Sequence, residues 1–112
     1  NQAIGALLAG ARGFINGSAN FVPEYTVGAW RAFCDGDFVL AAEYHKKMTA
    51  CMDFYTYATP LYLSLKQAVY NRVLGRNCGE RLPALPLPEA TRRTVYEAMK
   101  RMELISDDTP FL

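Results

Sequence analysis

The chain has little of what metal and redox sites are built from. Across 112 residues it holds one histidine and three cysteines. The cysteines, Cys34, Cys51 and Cys78, form no C-x-x-C pair, and their number is odd. A disulfide framework is therefore not expected, and with His45 as the sole imidazole a zinc site has too few ligands. Charge of one sign is also missing. Twelve basic and eleven acidic residues leave a formal net charge of +1, which gives no pull toward nucleic acid or anionic membrane. No apolar run reaches the roughly 18 to 20 residues that span a bilayer. Asn1 to Ile4 include no basic residue, so no secretory signal is read there. Reduced, cytoplasmic surroundings fit this cysteine usage.

What is present suits a packed core, since 51% of the residues are hydrophobic. The length allows one small domain and not two. Cys34 and Cys51 fall in helical apolar patterns and are expected to be buried thiols.

Gly13 to Glu24 is the most informative stretch. Ala11 to Asn16 reads as a short buried strand, Gly17 to Val22 as a glycine-bearing polar loop, and Pro23-Glu24 as a helix start. Phe14 and Ile15 are apolar on successive positions, as in parallel strands covered on both faces. A lone strand cannot satisfy its own backbone groups. The simplest explanation is a piece of a larger α/β protein. Around the strand, helices are expected over Gln2–Ala9, Pro23–Asp35, Phe38 to about Tyr57, Leu61–Leu74 and Pro88 to about Leu104. Gly10, Gly36 and Gly75 act as stops and Asp37 as a cap. In the second long helix Val39, Ala42, Met48, Cys51, Met52 and Tyr55 mark the apolar positions. In the third, Leu61, Leu65, Ala68, Val69 and Val73 share a face. Arg76 to Pro88 is a loop, and Ser106 to Leu112 a loosely packed tail.

Asn16, Ser18 and Asn20 flank Gly17 just past the strand. At the C-terminal mouth of a barrel this is where a site would be built, and Gly17 would permit close approach of a ligand. The plainer reading is a βα turn capped by Asn20 or Ser18. Lys66 stands in an apolar helical pattern. It reads more readily as a snorkelling surface lysine than as a Schiff-base nucleophile, because no base accompanies it. His45-Lys46-Lys47 and Arg92-Arg93 have acidic neighbours and read as solvated helix faces, with His45 at the surface. Tyr44, Phe54, Tyr55, Tyr57 and Tyr62 gather around Pro60, which suits packing or a subunit contact.

The run G-A-R-G-F-I-N-G-S-A-N-F-V-P from Gly10 to Pro23 resembles the eighth barrel strand of the dihydrodipicolinate synthase / N-acetylneuraminate lyase family. Gly36-Asp37-Phe38 with Ala41-Ala42 resembles the family's G-D-x-x-x-A segment. Thr59-Pro60 through Lys66 and Ala68 resembles its N-P-x-x-x-K-x-A stretch. Leu74-Gly75, Gly79, Arg81, Pro83 and Leu85-Pro86-Leu87 resemble its L-G…R-x-P-x-x-P-L loop. Four motifs stand in register over Ala3 to Ile105.

The resemblance implies the C-terminal segment of a (β/α)8 TIM barrel, the segment itself being mainly α. Against about 250 residues for a typical barrel, it amounts to the last third to half. Residues 1–35 would end the barrel, 36–105 form a C-terminal helical region and 106–112 a tail. The implied activity is that of a class I aldolase, lyase or dehydratase acting on pyruvate or a related 2-oxo acid, often as a homotetramer and without a cofactor. Its Schiff-base lysine and proton-relaying tyrosine lie on earlier strands. Ile15 matches the position whose backbone carbonyl faces that lysine. Asn16, Gly17 and Ser18 match the pocket mouth, where some members touch substrate beyond the pyruvate part. Lys66 matches a helix lysine that is not the nucleophile. The strand itself, I-N-G-S-A-N, is neither the I-S-V-T-A-N of typical dihydrodipicolinate synthases nor the I-G-S-T-Y-N of sialic acid lyases, and Thr59 replaces the usual Asn. These departures favour a generic member such as a sugar-acid aldolase or dehydratase. The alternative is a non-catalytic helical binding or assembly module.

Overall fold

The computed structural model describes residues 2–112. Five α-helices account for most of the regular structure: α1 (Ala3–Leu8), α2 (Pro23–Cys34), α3 (Phe38–Ala50), α4 (Tyr62–Val69) and α5 (Glu89–Arg101). Short 3-10 turns occupy Ser18–Asn20 and Cys51–Tyr55, and a π-turn, Tyr70–Leu74, extends α4. The chain divides into two compact units, Asn1–Met52 and Asp53–Leu112.

In the first unit, local chemistry sets the helix ends. α1 and α2 both close in Schellman fashion. Ala11 N–H bonds the Ala6 carbonyl around Gly10, and Asp37 N–H bonds the Ala32 carbonyl around Gly36. Gly10 and Gly36 have φ of +95° and +80°, a region that costs an L-residue roughly 1–2 kcal/mol. Asp37 then caps α3, its carboxylate accepting from Leu40 N–H at 3.0 Å. Pro23 opens α2 with Glu24 in its first turn, as the sequence implies. α2 and α3 pack at close range because Gly28 lies against the Tyr44 ring. A Cβ on Gly28 would fall 2.5 Å from that ring. Tyr44 therefore serves the α2–α3 contact. Ala29 and Ala32 on α2 and Ala41 on α3 are buried, as are Phe21 and Val22 just before α2.

Four expectations for this unit are corrected. No strand forms over Ala11–Asn16, and among the described residues there is none. A strand needs a neighbour to receive its backbone hydrogen bonds, and the described residues supply no second strand. Ile15, expected to be buried, is fully exposed. Cys34 is exposed at the last turn of α2, whereas Cys51 is buried as expected. The buried stripe of α3 runs through Ala41 and Met48, leaving Val39 and Ala42 exposed.

The second unit is built on α4 and α5. Phe54, Leu63, Leu65, Ala68, Val95 and Met99 form its core. The stripe Leu65, Ala68, Val69 is right in part, but Leu61 and Val73 are exposed. Ser64 is wholly buried and donates its hydroxyl to the Phe54 carbonyl at 2.5 Å, with the Leu61 carbonyl at 2.9 Å. Gln67 donates to Asn71 at 3.0 Å, and Asn71 to the Met99 sulfur at 3.7 Å. This polar line ties the π-turn to α5. α5 ends in another Schellman arrangement, with Leu104 N–H on the Met99 carbonyl and Glu103 N–H on the Lys100 carbonyl. Here Glu103, not a glycine, takes the left-handed position, at φ 55°. Arg72 Nε donates to the Leu104 carbonyl at 3.0 Å.

The tail is not loose. Tyr96 hydroxyl donates to the Thr109 carbonyl, the Tyr96 and Phe111 rings meet edge to face at 5.5 Å, and Lys100 pairs with Asp107 at 2.8 Å. Aromatic burial and these polar contacts overcome the mobility that position at the end of a sequence would suggest.

Candidate functional site

The segment from Gly13 to Thr26 holds the residues singled out from the sequence. Asn16 is its organiser. Its side-chain oxygen accepts from Ala19 N–H at 2.8 Å and from the Ser18 hydroxyl at 3.4 Å, while its amide donates to Thr26 Oγ1 at 3.2 Å. Asn16 thereby caps the 3-10 turn Ser18–Asn20 and fastens it to α2. The capping role expected of Ser18 or Asn20 belongs to Asn16, because a side-chain acceptor three residues before a free N–H is the geometry such turns use. Asn20 instead returns its amide to the Gly17 carbonyl at 3.0 Å. Ser18 is buried and Asn16 and Gly17 are half-buried. Gly17 has φ −67°, so its conformation is open to any residue.

Beside this turn Phe14 meets Trp30 edge to face at 6.3 Å. Arg12, Gly13, Thr26 and Val27 join them around a shallow hollow of about 290 Å³. Ile15 projects into solvent. The four residues Ile15, Asn16, Gly17 and Ser18 thus form one continuous exposed-to-buried step at the entry to α2.

Lys66 lies elsewhere, in the second unit. Its ammonium pairs with Glu80, donates to the Gly79 carbonyl at 3.2 Å and lies 5.6 Å from the centre of the Tyr70 ring. The Glu80 side chain is 7% exposed and that of Lys66 39%. Glu80 and Tyr70 hold the lysine above its ordinary value. A Schiff-base nucleophile needs a neutral amine, and this environment favours the charged form. Lys66 is an anchor for the loop after Gly75, together with the Tyr70 hydroxyl, which donates to the Gly79 carbonyl at 2.6 Å. Glu80 could not be read from sequence as its partner, since fourteen positions separate the two.

His45 is half-buried rather than at the surface, and its Nδ1 is buried without a hydrogen-bond partner. Among the described residues no group of three metal-ligating side chains gathers, and no helix is long and apolar enough to cross a membrane. The basic clusters have local partners: Arg93 pairs with Glu89 at 3.0 Å, and Lys47 lies over the rings of Tyr25 and Tyr44 at 5.7 and 5.5 Å.

The profile of the Dihydrodipicolinate synthetase family matches residues 2–102. The chain belongs to this family. It is 31% identical over 100 residues to the Escherichia coli (strain K12) protein named "Putative 2-dehydro-3-deoxy-D-gluconate aldolase YagE", a span covering 88% of this chain and 32% of that one. A second protein of the same organism, "Probable 2-dehydro-3-deoxy-D-pentonate aldolase YjhH", is 36% identical over 66 residues, 59% of this chain and 22% of that protein. The 4-hydroxy-tetrahydrodipicolinate synthase of Archaeoglobus fulgidus is 31% identical over 102 residues, 89% of this chain and 34% of the synthase. The chain spans about a third of the length of relatives matched along most of it. No solved structure gives a significant match. The family match, the short share of each relative and the lack of strands among the described residues are together consistent with a partial segment of a family member.

Proposed function

We propose that this chain is the C-terminal part of a class I, Schiff-base aldolase, lyase or dehydratase acting on pyruvate or a related 2-oxo acid. Residues 1–35 then end a (β/α)8 barrel, 36–105 form a helical region and 106–112 a tail. Ala11–Asn16 becomes the eighth strand when earlier strands of the complete protein pair with it. The observation that carries this reading is the state of that segment within a family match. It joins α1 to α2, has no strand partner among the described residues, and turns a large apolar side chain, Ile15, fully into solvent. An apolar residue on an unpaired segment is what a barrel strand looks like without its barrel.

In the complete protein the Ile15 carbonyl faces the Schiff-base lysine, which lies outside this chain. Asn16, Gly17 and Ser18 line the pocket mouth. The Asn16 bonds to Ala19 and Thr26 pre-set the turn, so α2 positions the wall without binding energy being spent on ordering it. The names of the two Escherichia coli relatives, both aldolases of 2-dehydro-3-deoxy sugar acids, support a sugar-acid substrate beside the synthase activity named for the Archaeoglobus protein. Homo-oligomeric assembly in the cytoplasm accompanies this reading.

The test is borohydride trapping of the complete polypeptide with pyruvate, followed by mass mapping. One adduct is expected, on a lysine outside these 112 residues. Ser18→Ala should keep that adduct while changing the ratio of kcat/KM between two sugar-acid substrates by roughly tenfold, the scale of one pocket contact. No adduct, or an adduct on Lys66, overturns the proposal.

A further inference from the structure

Asn16 ties the turn to α2 through Thr26, and the hydrogen bonds fix which way its carboxamide faces. Ala19 N–H can only donate, so the atom it meets at 2.8 Å is the Asn16 oxygen. The atom 3.2 Å from Thr26 Oγ1 is then the amide nitrogen, and the threonine accepts. The Ser18 hydroxyl takes the second acceptor position of the Asn16 oxygen, at 3.4 Å. A carboxamide has two N–H donors and two acceptor positions. Its second N–H has no partner among the described residues.

Thr26 is well placed to hold that group still. It closes the first turn of α2 and is half-buried. It lines the hollow beside Phe14 and Trp30. Two positions on, Gly28 lies against the Tyr44 ring, which seats α2 on α3. The plane of the Asn16 carboxamide is therefore set by a packed helix and not by the loop that carries it. Without the Thr26 acceptor the carboxamide is held through its oxygen alone, and its free N–H is no longer aimed. Side chains that act at a site need such support from behind.

We propose that Thr26 is a positioning residue for substrate selection. Acting through Asn16, it holds the remaining carboxamide N–H to meet an oxygen of a sugar-acid chain. This rests on the reading of Asn16 as part of the pocket mouth, and Thr26 itself needs no contact with substrate. The complete polypeptide is first trapped with pyruvate and borohydride. Cleavage is then measured on 2-dehydro-3-deoxy-D-gluconate and 2-dehydro-3-deoxy-D-pentonate, the compounds in the names of the two Escherichia coli relatives. Thr26→Val keeps the branched shape and removes the acceptor. It should raise KM roughly three- to tenfold, the scale of one hydrogen bond, with a smaller change in kcat. Thr26→Ser keeps the acceptor and should hold KM within about twofold, so it decides the matter even where the valine variant folds poorly. Thr26→Val added to Asn16→Ala should cost nothing further, because the two act as one unit. Equal losses in Thr26→Ser and Thr26→Val, or additive losses with Asn16→Ala, assign Thr26 to packing and overturn the proposal. A pyruvate adduct without cleavage of either sugar acid overturns it while the Schiff-base reading stands. No adduct overturns both.

Discussion

The two units solve the problem of a small core in different ways. Asp53–Leu112 completes its core from within. Large side chains such as Phe54 and Met99 are fully buried, Ser64 and Gln67 are buried with partners, and the tail is pinned by Tyr96 and Lys100. Asn1–Met52 also buries large side chains, Phe21 and Val22, and packs Gly28 against Tyr44; both units leave apolar side chains in solvent, Ile15, Phe38 and Val39 in the first and Leu61, Val73 and Leu82 in the second, but Ile15 lies on the segment that carries the proposed pocket residues. Internal partners hold the tail and the buried polar groups of the second unit, while the segment carrying the proposed pocket residues in the first has no strand neighbour among the described residues. The contrast teaches that a site can be locally pre-set, as Asn16 pre-sets its turn, while the element that delivers it remains unfinished.

The sharpest way to break this contrast is amide exchange on the isolated 112-residue chain. Arg12 to Gly17 should exchange at least about a hundredfold faster than the middle of α4 and α5, because opening free energies run from near zero in unpaired segments to the global value in core helices. In the complete protein Arg12 to Asn16 should slow toward core values. Equal protection of both regions in the isolated chain would end the argument that the segment needs outside strands.

The next largest effect lies inside the second unit. Ser64→Ala removes the donor from the buried Phe54 carbonyl and should cost about 1–3 kcal/mol in urea unfolding. A change within experimental error would mean that the carbonyl finds another donor, and that the unit is less tightly specified than its contacts suggest.

Much of the helical order was legible in the sequence because short-range chemistry wrote it. Gly10, Gly36 and Gly75 each hold a positive φ, and Asp37 caps α3. These features depend on a residue and its neighbours within four positions. What stayed hidden depends on distant ones. The Lys66–Glu80 pair, the Gln67–Asn71–Met99 line and the docking of Phe111 join residues far apart in sequence. The apolar face of α3 was misplaced because Val39 and Ala42 look like core residues by type, while Ala41 and Met48 are the ones buried. The strand failed for the opposite reason. Its apolar pattern suggests a covered strand, but the described residues supply no neighbouring strand to receive its backbone hydrogen bonds. The family itself was legible because four motifs kept their register, whereas the role of Asn16 as the cap was not, because Ser18 and Asn20 are equally good capping residues by type.

A smaller effect sharpens the account of the second unit. Glu103 holds the left-handed position at the end of α5, where glycine is at ease. Glu103→Gly should raise stability by about 1 kcal/mol, the released strain being partly offset by the added freedom of the unfolded chain. A loss of stability would show that the Glu103 side chain contributes more than its backbone costs.

The smallest effect concerns Lys66, and its sign follows from the direction of the shift. Glu80 and Tyr70 raise the folded-state value above the ordinary 10.5. The stabilisation is therefore complete while the unfolded lysine is still protonated, and it is lost as pH rises through the higher folded value. Solvent reaches the ammonium, so the pair is worth on the order of 0.5 kcal/mol. Comparing the unsubstituted chain with Lys66→Met between about pH 9 and pH 12 isolates it. The gap between the two should narrow as pH rises. A gap that stays constant would assign the contribution of Lys66 to its stem packing on Tyr70 and would leave Glu80 without an electrostatic role in anchoring the loop.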